Sequence, residues 1–276
     1  MPEGLDCLGT WRRSHYSIEL SPNLEGKVVT VFGSVASVRK QGGIIFMILQ
    51  DRDGIVQVTA HRNNVPQLLV ERLSDVRQNC YVGVKGLVKS TARAPNGAEI
   101  VPKEIKILAR PSRQPPFDFF GRQVPRLEKR LDLRAVDLRR AHTKAIFKIR
   151  HTALESIRTF LSRNGFVEVN TPKIIASATE GGAALFPLLY YDKEAFLAQS
   201  PQLYKEQLVG AFERVFEIAP IFRAEESRTL RHLSESTSVD VEEAYVTYED
   251  VMVLLEKMVY KVVKSVSERC VDELKI

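Results

Sequence analysis

Proline and arginine crowd one stretch of this sequence, from Arg110 to about Arg140, and that stretch decides how many cores the chain can build. Pro111, Pro115, Pro116 and Pro125 fall inside it, among Arg113, Arg122, Arg126, Arg130, Arg134, Arg139 and Arg140. Proline fixes φ and has no backbone N–H, so neither a long helix nor a central strand runs through such a segment. It reads as a hinge whose basic residues are either solvated or in contact with the phosphates of a nucleic acid. The 276 residues then divide into an N-terminal domain over 1–109, the hinge over 110–140, and a C-terminal domain over 141–276, each long enough for its own core.

Composition narrows the function classes. A chain with 44% hydrophobic and 27% charged residues is that of a globular protein in water, and no apolar run approaches the roughly 18 residues of a membrane span. Met1-Pro2-Glu3-Gly4-Leu5-Asp6 lacks a basic-plus-apolar leader pattern, which makes a cytoplasmic location the expectation. Cys7, Cys80 and Cys270 are scattered, which argues against a disulfide framework or a zinc site. A net charge of +6 with a pI near 9.2 suits a polyanionic partner such as RNA.

The N-terminal domain reads as short strands: Lys27 to Gly33, Ile44 to Leu49, Ile55 to Thr59, Tyr81 to Val88, and Glu99 to Leu108. Asp51-Arg52-Asp53-Gly54 and Ala94-Pro95-Asn96-Gly97 are turns, and a helix fits about Val65 to Arg77. Five strands with a helix between the third and fourth predict an OB-fold barrel, which commonly stacks single-stranded bases on an aromatic over a basic surface. Phe46 and Gln57 are the candidates. A strand Phe is also a normal core residue, and a strand Gln is normally just solvated.

The C-terminal domain begins with a helix from about His142 to Arg163, with Ile146, Ile149, Leu154, Ile157, Phe160 and Leu161 on one stripe and Gly165 ending it. Phe166 to Pro172 reads as a strand. Ala178 to Ala183 is a small-residue loop. Ser200 and Pro201 look like the N-cap and first position of a helix on which Gln202 and Lys205 share a face. Val215 to Ile221 and Ser238 to Glu242 alternate with period two. Paired antiparallel, they give a sheet with one apolar face and one face carrying Glu217, Arg223, Glu225, Asp240 and Glu242. Their long connection, roughly Glu226 to Thr237, holds Arg228, Arg231 and His232. Cationic donors beside carboxylates suit a ligand with phosphates at one end and an ammonium at the other. A helix from Glu249 to about Arg269 places Val251, Leu254, Leu255, Met258, Val259, Val262, Val263 and Val266 on one stripe. The fold class is α+β.

These segments resemble the class II aminoacyl-tRNA synthetases. Phe222-Arg223-Ala224-Glu225, the loop with Arg231-His232-Leu233-Ser234-Glu235, and the returning strand are similar to motif 2. The long helix, Gly165-Phe166, the strand and Pro172 look like motif 1. Gln199-Ser200-Pro201-Gln202-Leu203-Tyr204-Lys205 looks like the aspartate-selecting segment, and Arg130-Leu131-Asp132-Leu133-Arg134 like the hinge signature. The match runs over nearly the whole chain and is most similar to the aspartyl-tRNA synthetases of archaeal type.

The resemblance implies an enzyme, an aspartate–tRNA ligase. It would join L-aspartate to tRNA through an aspartyl-adenylate, with ATP and Mg²⁺. Arg223 would be the catalytic residue, binding the α-phosphate and bridging to the substrate carboxylate. Lys205 would pair with the side-chain carboxylate of aspartate, and Glu180, Gln202 and Asp240 would surround its ammonium. Glu225 would face the adenine amino group or the acceptor end, with Arg231 and His232 near the distal phosphates. Phe46 would stack on an anticodon base and Gln57 would read a base edge. The partners implied are tRNA(Asp), tRNA(Asn) as well in some members, and a second copy of the chain through motif 1. An ordinary helix packed on its own sheet is the other reading of that motif.

Three departures from the family pattern stand in the sequence. Ser34 occupies a position usually Trp, which bears on anticodon discrimination. Ser236-Thr237 follows Glu235 where many members place an adenine-stacking Phe. The Gly-x-Gly-x-Gly-x-Glu-Arg pattern of motif 3 is absent, and with it the expected Mg²⁺ ligands, which would lie beyond Ile276. The expectation is therefore an N-terminal portion with motifs 1 and 2 only. Two alternatives stay open: a module that binds tRNA through the barrel without completing catalysis, and an adenylating enzyme of the same fold that forms a small amide.

Overall fold

The computed structural model describes residues 4–117, 120, 123–178, 184–226 and 232–276. They form two compact units, one up to Lys129 and one from Arg130 onward.

In the first unit, β1 (Val28–Gln41), β2 (Ile44–Gln50), β3 (Ile55–His61), β4 (Tyr81–Ser90) and β5 (Ala98–Ala109) close into a barrel of order β1-β2-β3-β5-β4. This is the OB arrangement. Alternation sends Ile45, Met47 and Leu49 of β2 inward with Val56, Val58, Val82, Val84, Ile100 and Ile107, while Phe46 and Ile48 face outward, half-buried. Helix α1 (Gln67–Ser74) closes one end of the core with Leu69, Val70 and Leu73. Long β1 serves two neighbours, pairing β4 through Val28–Ser34 and β2 through Ser34–Gln41, with a register shift between Val35 and Ser37. At the crossover Gly33 is obligatory, because a Cβ there would lie 2.7 Å from the Gln50 carbonyl oxygen. The β2–β3 turn is held by Asp51 Oδ1, which accepts from the backbone N–H of Asp53 (2.9 Å) and Gly54 (3.0 Å).

The second unit opens with short helices α2 (Leu127–Asp132, which straddles the unit boundary) and α3 (Arg134–Asp137). Asp137 is fully buried and accepts from Arg130 Nε (2.8 Å), Arg134 Nη1 (2.7 Å) and Thr143 Oγ1 (3.3 Å), tying these turns to α4 (Ala141–Arg163). Burial opposes its charge, but the two guanidiniums and the hydroxyl outweigh it and hold the carboxyl below its ordinary pKa. Gly165, at φ +82°, takes the left-handed position after α4. The expected strand over 166–172 is short: only β6 (Val167–Glu168) pairs, parallel to β10.

Next come β7 (Ile174–Ile175), β8 (Pro187–Tyr190) and β9 (Lys193–Leu197), which make a small sheet of order β7-β9-β8. Helix α5 (Gln202–Phe212) is followed by β10 (Arg214–Phe222) and β11 (Glu235–Glu243), an antiparallel pair extended by β6 to the order β11-β10-β6. Helix α6 (Tyr248–Arg269) begins at a capping box between Thr247 and Asp250. The apolar sheet face and the two long helices share a core of Leu161, Phe166 and Phe216, with Ile157, Phe160, Ile218, Val239, Val241, Leu254 and Met258 packed on it.

Two helix stripes are narrower than the sequence suggests. Ile146 of α4 is exposed, and so are Val251, Leu255, Val259 and Val263 of α6, because one helix face cannot present so wide an arc to a thin sheet. Helix α5 starts at Gln202 rather than Pro201, and Ser200 acts one residue out of place: its Oγ accepts from the Gln202 N–H at 3.2 Å.

Candidate functional site

The polar face of the β10–β11 pair is built by register. Glu217 lies opposite Asp240, Val215 opposite Glu242, and Phe222 opposite Glu235. Period-two alternation therefore puts Glu217, Asp240 and Glu242 on the face turned away from Phe216. Helix α5 packs over this face and delivers Lys205, whose residue exposure is 4%. The Lys205 ammonium lies 3.3 Å from Asp240 Oδ1 and 3.6 Å from Glu242 Oε2. A lysine this buried needs an anionic partner, and it has two.

Glu217 is the second buried charge of the face, at 1% exposure. Its carboxylate accepts from the Thr171 backbone N–H (2.6 Å), Thr171 Oγ1 (2.9 Å) and Lys173 Nζ (2.8 Å). The sequence placed Glu217 on the polar face but assigned it no role. The missing signal is the Thr171-Pro172-Lys173 turn, whose proximity to β10 is not readable locally.

One segment bridges the two halves of the site. The Ala198 N–H donates to the Lys173 carbonyl at 3.0 Å, and the Ala198 carbonyl accepts from the Phe222 N–H at 3.0 Å. Residues 198–201 thus run beside the end of β10 and lead directly into α5. Beyond that strand the Arg223 N–H donates to the Ser234 carbonyl (3.0 Å) and the Ala224 N–H to the Ala184 carbonyl (2.9 Å). The backbone of Arg223 is therefore fixed while its side chain is exposed, as are those of Glu225 and His232. Gln202 lies on the same helix as Lys205 but gives its amide to Glu206 Oε1 (2.8 Å). Glu180, Arg228 and Arg231 lie outside the described residues. Among the described residues no group of three or more His, Cys, Asp or Glu is placed to hold a metal ion.

On the barrel, Ser37, Arg39, Gln41, Phe46, Ile48 and Gln57 line a depression of about 360 Å³. Phe46 stands opposite Arg39 on β1 and Thr59 on β3, and Ile48 opposite Gln57. The Gln57 amide nitrogen donates to Glu99 Oε2 (2.9 Å) and Thr59 Oγ1 (3.2 Å), and Thr59 donates to the same carboxylate oxygen at 2.5 Å. With both N–H groups engaged, the amide oxygen of Gln57 is the atom available to an outside donor. Sequence reading missed Glu99; an acid beside the apolar run Ile100-Val101 was the available signal. Ser34 is buried in β1 and donates to the Gln50 carbonyl at 3.5 Å, so it adds no surface to this depression. Each site holds a buried, hydrogen-bonded polar group, Lys205 on the sheet face and Glu99 beneath the barrel depression.

Comparison with known proteins supplies two family matches. Residues 126–276 match the family model described as tRNA synthetases class II (D, K and N). Residues 29–108 match the OB-fold nucleic acid binding domain. Among curated proteins, the aspartate–tRNA(Asp/Asn) ligase of Saccharolobus solfataricus is 49% identical over 264 residues, covering 96% of this chain and 61% of that protein. The ligase of the same description from Methanothermobacter thermautotrophicus is 47% identical over 269 residues, covering 97% and 61%. Among solved structures, asparaginyl-tRNA synthetase from Pyrococcus horikoshii complexed with asparaginyl-adenylate superimposes with a TM-score of 0.89 at 34% identity, covering 96% of this chain and 60% of that one. The chain spans about 60% of the length of the relatives it matches.

Proposed function

The chain belongs to the class II tRNA synthetases (D, K and N), and from that premise we propose that it supplies the anticodon-binding barrel and the amino-acid-activating sheet of an aspartate–tRNA ligase. The observation that carries this is Lys205, a buried ammonium on a sheet face that also bears Asp240 and ends at Arg223. The substrates are L-aspartate, ATP and tRNA. The names of the relatives, aspartate–tRNA(Asp/Asn) ligases, and the absence of a large side chain at Ser34 support both tRNA(Asp) and tRNA(Asn) as acceptors.

Activation joins an aspartate carboxylate oxygen to the α-phosphorus of ATP and breaks the bond to pyrophosphate. No protein base is required; the step needs alignment and a cation where negative charge builds. Arg223 supplies that cation, its planar fork spanning an α-phosphate oxygen and the attacking carboxylate. Lys205 holds the side-chain carboxylate. Asp240 and Gln202, with Glu180, receive the ammonium. Glu225 faces the adenine amino group or the acceptor end, and His232 with Arg231 meets the distal phosphates. In the second step the acyl group passes to the tRNA 3′ end and AMP leaves. Mg²⁺ is the metal this family uses, and no step is assigned to it on the residues described.

On the barrel, Phe46 stacks under one anticodon base, and Gln57, its carbonyl turned outward by Glu99, accepts from a ring or exocyclic N–H of the next. A cytoplasmic homodimer formed through α4 and β6 completes the reading; among the described residues no helix is long and apolar enough to cross a membrane.

The test is aspartate-dependent ATP–pyrophosphate exchange by the 276-residue chain, with Lys205→Met and Phe46→Ala in parallel. Exchange lost in Lys205→Met and kept in Phe46→Ala supports the reading. Silence in the parent chain, with tRNA binding retained, supports a tRNA-binding module instead.

A further inference from the structure

Among the described residues, the charge count around Lys205 does not balance. Its own helix offers Gln202, which is engaged by Glu206. From β10 comes Glu217, engaged by Thr171 and Lys173. From β11 come Asp240 and Glu242, both within 4 Å of the one ammonium. Among the described residues, one positive and two negative charges leave this spot at −1. A third carboxylate brought to the same ammonium would meet two like charges at hydrogen-bond range, which is repulsive at any dielectric a half-buried site can have.

The two carboxylates are not equivalent. Asp240 is the nearer at 3.3 Å and has the less exposed side chain, 18% against 29% for Glu242, which sits at 3.6 Å. Glu242 has the longer side chain and the better access to solvent, so it is the partner that can leave.

We infer that Glu242 is a place-holder for the ligand: it occupies Lys205 until the side-chain carboxylate of an acidic amino acid takes its place, and it then turns to solvent. This rests on the reading of Lys205 as the carboxylate-binding residue and adds a specificity determinant to it. Exchange of one carboxylate for another keeps the ammonium paired. A neutral amide side chain breaks the same pair and returns no charge, so the Glu242 ion pair is lost uncompensated and the ammonium keeps Asp240 alone. Glu242 therefore sets a threshold that an anionic ligand passes and its amide does not. It is a positioning residue and takes no part in the bond-making step.

The sign of one substitution separates this from a structural role. If Glu242 only steadied Lys205, Glu242→Gln would weaken aspartate binding. As a competitor, its removal tightens binding. Titration calorimetry of the 276-residue chain with L-aspartate, in the presence of ATP, should show the dissociation constant falling by about threefold to fivefold in Glu242→Gln, the scale of a partly exposed ion pair. L-asparagine, run alongside, should gain affinity as well, because the same threshold is lowered. A constant that is unchanged or larger in Glu242→Gln, while the parent chain binds aspartate, overturns the inference. Failure of the parent chain to bind aspartate sinks the assignment of Lys205 itself, and this inference with it. Lys205→Met should abolish aspartate binding in both backgrounds, and aspartate binding that survives it also overturns the inference.

Discussion

Replacing Glu217 tests the polar face without touching any residue assigned to a ligand. Its carboxylate meets three donors at 2.6–2.9 Å, two of them on Thr171, whose residue exposure is 9%, and one on Lys173, whose side chain is 22% exposed. In Glu217→Ala the Thr171 N–H is left without an acceptor and the Lys173 ammonium without its counter-charge. Breaking a buried pair from one side costs about 3–5 kcal/mol, and the access of Lys173 to water places the expected loss toward the lower end. Glu217→Gln keeps an oxygen for the Thr171 N–H but replaces the oxygen that serves Thr171 Oγ1 and Lys173 with an amide N–H₂ and removes the charge, so a loss smaller than that of the Ala variant, about 1–3 kcal/mol, is expected. The ordering Ala worse than Gln is the content of the argument. Urea unfolding followed by far-ultraviolet dichroism reads this unit selectively, since α4 and α6 are long and the barrel is nearly all strand. The double variant Glu217→Gln with Lys173→Met should cost less than the sum of the two singles, with a coupling above ~0.5 kcal/mol. Strict additivity, or a Gln variant as damaged as Ala, refutes the geometry.

Three further outcomes follow from named contacts. The carboxyl of Asp137 is depressed below its ordinary pKa, so its stabilisation is present above the unfolded value of about 3.9 and is lost as pH falls through the lower folded value. Parent and Asp137→Asn should therefore differ most near neutral pH and converge in urea midpoints as pH falls through the depressed folded value; a gap that widens on acidification contradicts the pairing with Arg130 and Arg134. Phe46→Ala should lower affinity for an anticodon stem-loop by about 1–3 kcal/mol in fluorescence anisotropy, with barrel stability almost unchanged because the ring is half-exposed; unfolding of the barrel would return Phe46 to the core. Gly33→Ala forces a Cβ against the Gln50 carbonyl and should destabilise the barrel by roughly 1–3 kcal/mol, read from the Trp11 fluorescence transition while the helix signal of the second unit stays in place.

Much of this molecule follows from periodicity and turn chemistry. The five barrel strands, the helix between the third and fourth, and the β10–β11 pair are local patterns, because a strand's alternation and a helix's stripe are written residue by residue. The orientation of Phe46 is not local: period two allows either face, and only closure of the barrel with Ile45, Met47 and Leu49 inside turns it outward. Stripe width on α4 and α6 failed for the same reason. Hydrophobic spacing marks what could be buried, and the size of the sheet beneath fixes what is.

Residue types and spacing determined the presence of Lys205, Asp240 and Arg223 in similar motifs. Tertiary structure alone decided that Lys205 answers to two carboxylates, that Glu217 belongs to Thr171 and Lys173, and that Glu99 orients Gln57. Each of these joins groups at least 35 residues apart in the chain. A charge announces itself in the sequence, but its partner is chosen by strand register and helix packing, which exist only once the chain has closed on itself.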